Sequence, residues 1–214
     1  MRRVALVLAA MALALLLASG VALAVNKIGT NGPDTLTGTH GNDNLIGKGG
    51  SDMLFSLRGR DNLLGGPGKD CLICVVLEDQ QHRAFGGNKI LLGGPGNDDV
   101  WAGKGSDIVV GAEGNDRLVD DGVREFSKDT FFGGPGNDVI DVLHYRSARD
   151  LVVCGSGFDR VGANRKDVVA PDCEKVDVFK GGTFSEYEHV LFVEFYEESV
   201  PMNWLEGLPQ SCPV

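Results

Sequence analysis

Aromatic residues are scarce in this chain, at 7 % of 214 residues. Basic residues are few as well: 20 Lys and Arg stand against 30 Asp and Glu, a formal charge of −10 at pH 7. A chain of that sign repels nucleic acid and anionic membrane and draws in cations. Beyond the first twenty or so residues no apolar run resembles a membrane span. The hydrolase signature G-x-S-x-G, the zinc-protease signature H-E-x-x-H and the EF-hand order D-x-[DN]-x-[DN]-G are all missing. So is any N-x-S/T glycosylation acceptor. What the chain has in excess is glycine, 31 residues. Many glycines and few aromatics make poor material for a conventional core, so something else must hold the fold.

The start reads as a targeting signal. Arg2 and Arg3 form a positive head, residues 4–18 an unbroken apolar stretch, and Ala22-Leu23-Ala24 an A-x-A cleavage site. This predicts a signal peptide over 1–24, a mature chain starting at Val25, and an extracellular, secreted location. The alternative is an uncleaved anchor. No Cys follows the apolar run, which argues against a lipoprotein, and the arginines lack a preceding Ser or Thr, which favours general secretion. Losing both arginines makes the mature chain still more acidic. Its length suits one domain, or a domain with a cap. Five cysteines, Cys71, Cys74, Cys154, Cys173 and Cys212, favour disulfides in an exported chain, with one left over.

Written in nines from Gly29, the chain repeats. The blocks are GTNGPDTLT, GTHGNDNLI, GKGGSDMLF, SLRGRDNLL and GGPGKDCLI; after a break come GGPGNDDVW, AGKGSDIVV and GAEGNDRLV, and later GGPGNDVID. Position four is glycine in all nine copies: Gly32, Gly41, Gly50, Gly59, Gly68, Gly96, Gly105, Gly114 and Gly136. Position six is aspartate in all nine: Asp34, Asp43, Asp52, Asp61, Asp70, Asp98, Asp107, Asp116 and Asp138. Position eight is always aliphatic. A disordered Gly/Asp-rich tract would keep no such fixed aliphatic slot.

The pattern resembles the haemolysin-type (RTX) calcium-binding nonapeptide GGxGxDxUx. The resemblance implies an all-β fold, a right-handed parallel β-roll with two nonapeptides per coil. It also implies several calcium ions, held between turns 18 residues apart by the position-six aspartates and by carbonyls that the turn glycines aim inward. Calcium wants six to eight oxygens, and one turn offers half a site. By that rule Asp34, Asp52 and Asp70 share one edge, Asp43 and Asp61 the other, and Asp98 and Asp116 form a further pair. The layout is closest to small secreted calcium-binding repeat proteins of Gram-positive actinobacteria.

Several stretches depart from the pattern. Insertions follow Cys74 and Asp120. A degenerate copy, AFGGNKILL, carries Lys89 at the aspartate position, and another, REFSKDTFF, carries Ser127 at the glycine position. Lys89 reads either as a lost ligand or as a surface lysine in a loop. The division expected is a first repeat block over 25–73, an irregular coil over 74–92, a second block over 93–141, degenerate terminal coils over 142–176 and a cap over 177–214.

Near the end, CGSGFDRVG puts Asp159 at position six, and DCEKV follows. This resembles the terminal coil of the actinobacterial proteins, which implies a Cys154–Cys173 disulfide. Cys71, at an outward position seven, and Cys74 form a CxxC without the second pair a zinc site needs. A local bond and a Cys74–Cys212 bond both stay open. Residues 188–197 alternate, with Val190, Phe192 and Glu194 on one face, as a capping strand would. His40, His82, His144 and His189 sit in unrelated contexts, and no catalytic residue is assigned. The expected function is calcium binding in a structural or cell-surface interaction role, with a surface polymer or protein as partner. The alternative is an enzyme or polymer-binding module with its site in the C-terminal third.

Overall fold

The computed structural model describes residues 24–73, 75–76, 83–84, 87–120, 127–143 and 149–179. The leader and the alternating segment over 188–197 lie outside the described residues, as do Cys74, Cys212, His82, His144 and His189.

Each repeat contributes one short strand from positions seven to nine, as in Asn44–Ile46, Met53–Phe55 and Ile108–Val110. Three extended residues suffice, because alternation buries only the middle one. Glycine at position four, and at position one in most copies, then turns the chain through the corner. Successive strands fall alternately in two parallel sheets of eight strands each. One runs from Asn26–Ile28 to Val168–Val169, the other from Thr35–Thr37 to Lys175–Phe179. The fold is a parallel β-roll without helix among the described residues.

The core is one side chain thick on each side. Leu45, Leu63, Leu91, Val109, Phe131 and Val152 point in from one sheet; Leu54, Leu72, Val100, Leu118, Ile140 and Val161 meet them from the other. All are buried, and each contributes about 1.5–3 kcal/mol. On the outer face of the first sheet a row of apolar residues, Ile90, Ile108, Phe132, Leu151 and Val168, stays exposed.

The insertions leave the stack unbroken. Leu63 pairs with Leu91 and Leu72 with Val100, so coils on either side of residues 74–86 lie in direct register. The insertion leaves and returns through Val75–Val76 and Arg83–Ala84, paired antiparallel. The later insertion is passed in the same way, with Val109 on Phe131 and Leu118 on Ile140.

At the C-terminal end Cys154 and Cys173 form a disulfide. Cys71 keeps its outward position seven. It does face away from the roll's interior, but it is fully buried against Ile73, Met53 and Phe55. It too is disulfide-bonded, to a partner outside the described residues.

Candidate metal centre

The corners bring the position-six aspartates into two ladders. In the first, each backbone N–H donates to Oδ1 of the aspartate one coil on. Asp34 donates to Asp52, Asp52 to Asp70 and Asp70 to Asp98, each at 2.8 Å. Asp98 continues to Asp116 at 2.8 Å, Asp116 to Asp138 at 2.9 Å and Asp138 to Asp159 at 2.8 Å. Asp159 N–H ends on Glu174 Oε2 at 2.9 Å. Asp70 and Asp98, 28 residues apart, are therefore stacked neighbours.

The second ladder starts with Val25 N–H on Asp43 Oδ1 at 2.7 Å and Asp43 N–H on Asp61 Oδ1 at 2.9 Å. Lys89 N–H donates to Asp107 Oδ1 at 2.7 Å. Asp107, Asp129, Asp150 and Asp167 follow at 2.6, 2.9 and 3.2 Å. Of the acids on the two ladders, Asp129, Asp150, Asp167 and Glu174 had no place among the predicted site residues. Their signal is an acid two residues before an apolar residue in register with the core: Phe131, Val152, Val169 and Val176. Without the glycines, that signal is too short to stand alone.

The second carboxylate oxygens distinguish the ladder ends from the middle. Asp34 Oδ2 accepts from Thr30 N–H at 2.5 Å and its hydroxyl at 2.9 Å; Asp43 Oδ2 accepts likewise from Thr39. In the inner coils, Oδ2 of Asp52, Asp61, Asp70, Asp98, Asp116, Asp138 and Asp159 is buried with no hydrogen-bond partner. A buried carboxylate oxygen is costly to leave so.

Glycine geometry shows what space lies beside them. A Cβ on Gly65 would stand 2.4 Å from Asp70 Oδ2 and 2.6 Å from the Gly93 carbonyl oxygen. The same holds at Gly111, 2.3 Å from Asp116 Oδ2 and 2.8 Å from the Gly133 carbonyl. Each missing side chain leaves a cradle between a carboxylate and the carbonyl of the next coil. At position four the need is closer still: a Cβ on Gly96 would stand 1.4 Å from the Gly68 carbonyl oxygen.

Burial raises these carboxyls. Asp98 is pushed up to about 8, mainly by burial, with Asp116 and Asp70 adding to it. Asp138 rises to about 7, and Asp70 and Asp116 to about 6, each chiefly by burial. The donor set is hard oxygen throughout, carboxylate and carbonyl. It fits a divalent cation of the calcium type and offers nothing to a soft one.

Four stretches, residues 28–63, 46–73, 84–118 and 127–142, match the RTX calcium-binding nonapeptide repeat. The chain thus carries RTX calcium-binding nonapeptide repeats. RTX repeats bind calcium, so calcium is the partner of this roll. No curated protein and no solved structure matches the chain. The RTX matches include 84–118, the coil that carries Lys89. Lys89 is no surface lysine: it is 1 % exposed, inside the second ladder.

A further acidic group arises at the second insertion. Asp120, Asp129 and Asp150 are all buried, with carboxylate oxygens within 4.8 Å of one another. Asp120 ends a strand where other coils place the first glycine. Burial, then Asp120, pushes Asp129 up to about 9.

Proposed function

We propose that this protein is a secreted, non-catalytic β-roll. Its calcium ions sit between successive turns of both ladders, and its role is structural or in interaction at a cell surface. The carboxylates assigned to the sites are Asp34, Asp43, Asp52, Asp61, Asp70, Asp98, Asp107, Asp116, Asp138 and Asp159, with the glycine-turn carbonyls completing the oxygen shell. The observation that carries this is the run of buried carboxylate oxygens without hydrogen-bond partners, those of Asp52, Asp70, Asp116 and Asp138 each beside a carbonyl-lined cradle. When bound, calcium supplies the charge that such a row lacks. The chain's own residues do the rest: in Asp52, Asp61, Asp70, Asp98, Asp116, Asp138 and Asp159, Oδ1 holds the coil before, and Oδ2 is left for the ion.

Secretion is supported by the leader and by the first rung of the second ladder. Cleavage before Val25 turns the N–H now 2.7 Å from Asp43 Oδ1 into an ammonium beside a carboxylate. An extracellular setting also supplies calcium at the concentrations that extracellular modules use.

Circular dichroism of the mature chain during a calcium titration tests the reading. Coil signal in chelator and β signal in about millimolar calcium are expected, because binding energy becomes folding energy. Magnesium is expected to substitute poorly, since it demands octahedral geometry and holds its waters. A β spectrum unchanged by chelation, with metal analysis showing no residual calcium, overturns it.

A further inference from the structure

The second ladder contains one rung of opposite charge. Lys89 is among the largest side chains buried below 2 % exposure. Its backbone behaves as an aspartate's would there: its N–H donates to Asp107 Oδ1, and its carbonyl accepts from Ile108 N–H at 3.0 Å. The turn before it is also regular, with Gly87 packed on the Gly59 carbonyl and at φ 130°. Only the side chain differs.

A buried ammonium is nearly as costly as a buried carboxylate unless it is paired. Lys89 Nζ donates to the Gly87 carbonyl oxygen, two residues earlier in its own turn, at 3.0 Å. It also lies close enough to Asp61, one coil back, to favour that carboxylate's ionised form against burial. A turn carbonyl and a position-six carboxylate are the two donor types that calcium takes elsewhere in the ladders. Here a cation already attached to the chain faces both.

We propose that Lys89 is a tethered cation standing in place of a calcium ion between the coils of Asp61 and Asp107, so that the middle of the second ladder closes without metal. This rests on the calcium reading of the ladders. It makes the roll's calcium demand uneven. The first ladder needs metal along its whole length, while the second carries a permanent joint where residues 74–86 interrupt the repeat. The joint sits where a metal-dependent contact would otherwise have to span the longest insertion between stacked rungs.

The experiment counts bound calcium in the full mature chain after equilibration and desalting, for the wild type, Lys89→Asp and Lys89→Met. Lys89→Asp removes one positive charge and adds a carboxylate; it is expected to bind one calcium more than the wild type. Lys89→Met keeps the volume and loses the charge. It is expected to keep the wild-type count and to fold only at a higher calcium midpoint. An Asp variant that folds in calcium with an unchanged ion count overturns the proposal. So does a Met variant with an unchanged midpoint, which also decides the matter should the Asp variant not fold. A wild type that binds no calcium overturns the ladder reading itself, and this proposal with it.

Discussion

Asp98 shows how one residue serves two ends. Its Oδ1 caps the Asp70 N–H at 2.8 Å, while its Oδ2 is buried without a partner. Burial and the flanking Asp70 and Asp116 hold its carboxyl near 8, far above the unfolded value of about 3.9. In the metal-free state the folded chain therefore binds more protons than the unfolded chain between about pH 4 and pH 8. Stability that is present below the unfolded pKa is lost as pH rises through the folded values, which run from about 6 for Asp70 to about 8 for Asp98. Metal-free protein is thus expected to show more β signal at pH 5 than at pH 8. Circular dichroism in chelator across that pH range measures it. An unchanged spectrum between pH 5 and pH 8 would show that these carboxyls do not set the metal-free stability.

At the scale of the turn, not all repeat glycines are equal. Gly96 has φ 150°, and a Cβ there would meet the Gly68 carbonyl oxygen at 1.4 Å; both atoms belong to stacked backbone that cannot yield. Gly32 stands at the same repeat position, yet the nearest atom to its Cβ would be Thr30 Oγ at 3.9 Å. The difference is the neighbour: Gly96 packs on a preceding coil, and Gly32 lies in the first described turn. Gly96→Ala is expected to cost at least about 2 kcal/mol of calcium-bound stability. Gly32→Ala is expected to stay within about 0.5 kcal/mol. Thermal or denaturant unfolding in saturating calcium measures both. Equal effects would mean that the repeat position, rather than stacking, sets the need for glycine.

At the scale of the whole molecule the roll is a one-dimensional array, and its end coils have a neighbour on one side only. The last coil is thin: Val168–Val169 has two residues, and the first ladder closes on Glu174 instead of an aspartate. The Cys154–Cys173 bond, 19 residues apart, anchors that coil to the one before it whether or not metal is bound. A loop of that size is worth about 3 kcal/mol in chain entropy. Cys173→Ala is expected to leave the calcium count of the inner coils unchanged and to open the chain after Leu151 to protease in calcium. Peptide mapping after brief digestion locates the cuts. A fall in calcium count, or cuts spread evenly along the roll, would show that the bridge supports more than the end.

The nonapeptide period determined the parallel roll, its aliphatic core and its alternating corners, because a fixed spacing of Gly, Asp and aliphatic residues leaves the backbone one way to stack. Asp34 to Asp70 could be placed on one edge by counting eighteens. Counting fails at an insertion, since the chain length between rungs no longer equals one coil. That Asp70 stacks on Asp98 was decided only by strand pairing across residues 74–86. Asp129, Asp150, Asp167 and Glu174 were hidden for a related reason: their turns reach the ladder without the glycines that mark the others. Lys89 was the hardest to read. In sequence it is a missing ligand or a surface charge; only the packing of the coils around it shows a buried ammonium on a turn carbonyl, because burial depends on what stacks above and below and not on the repeat itself.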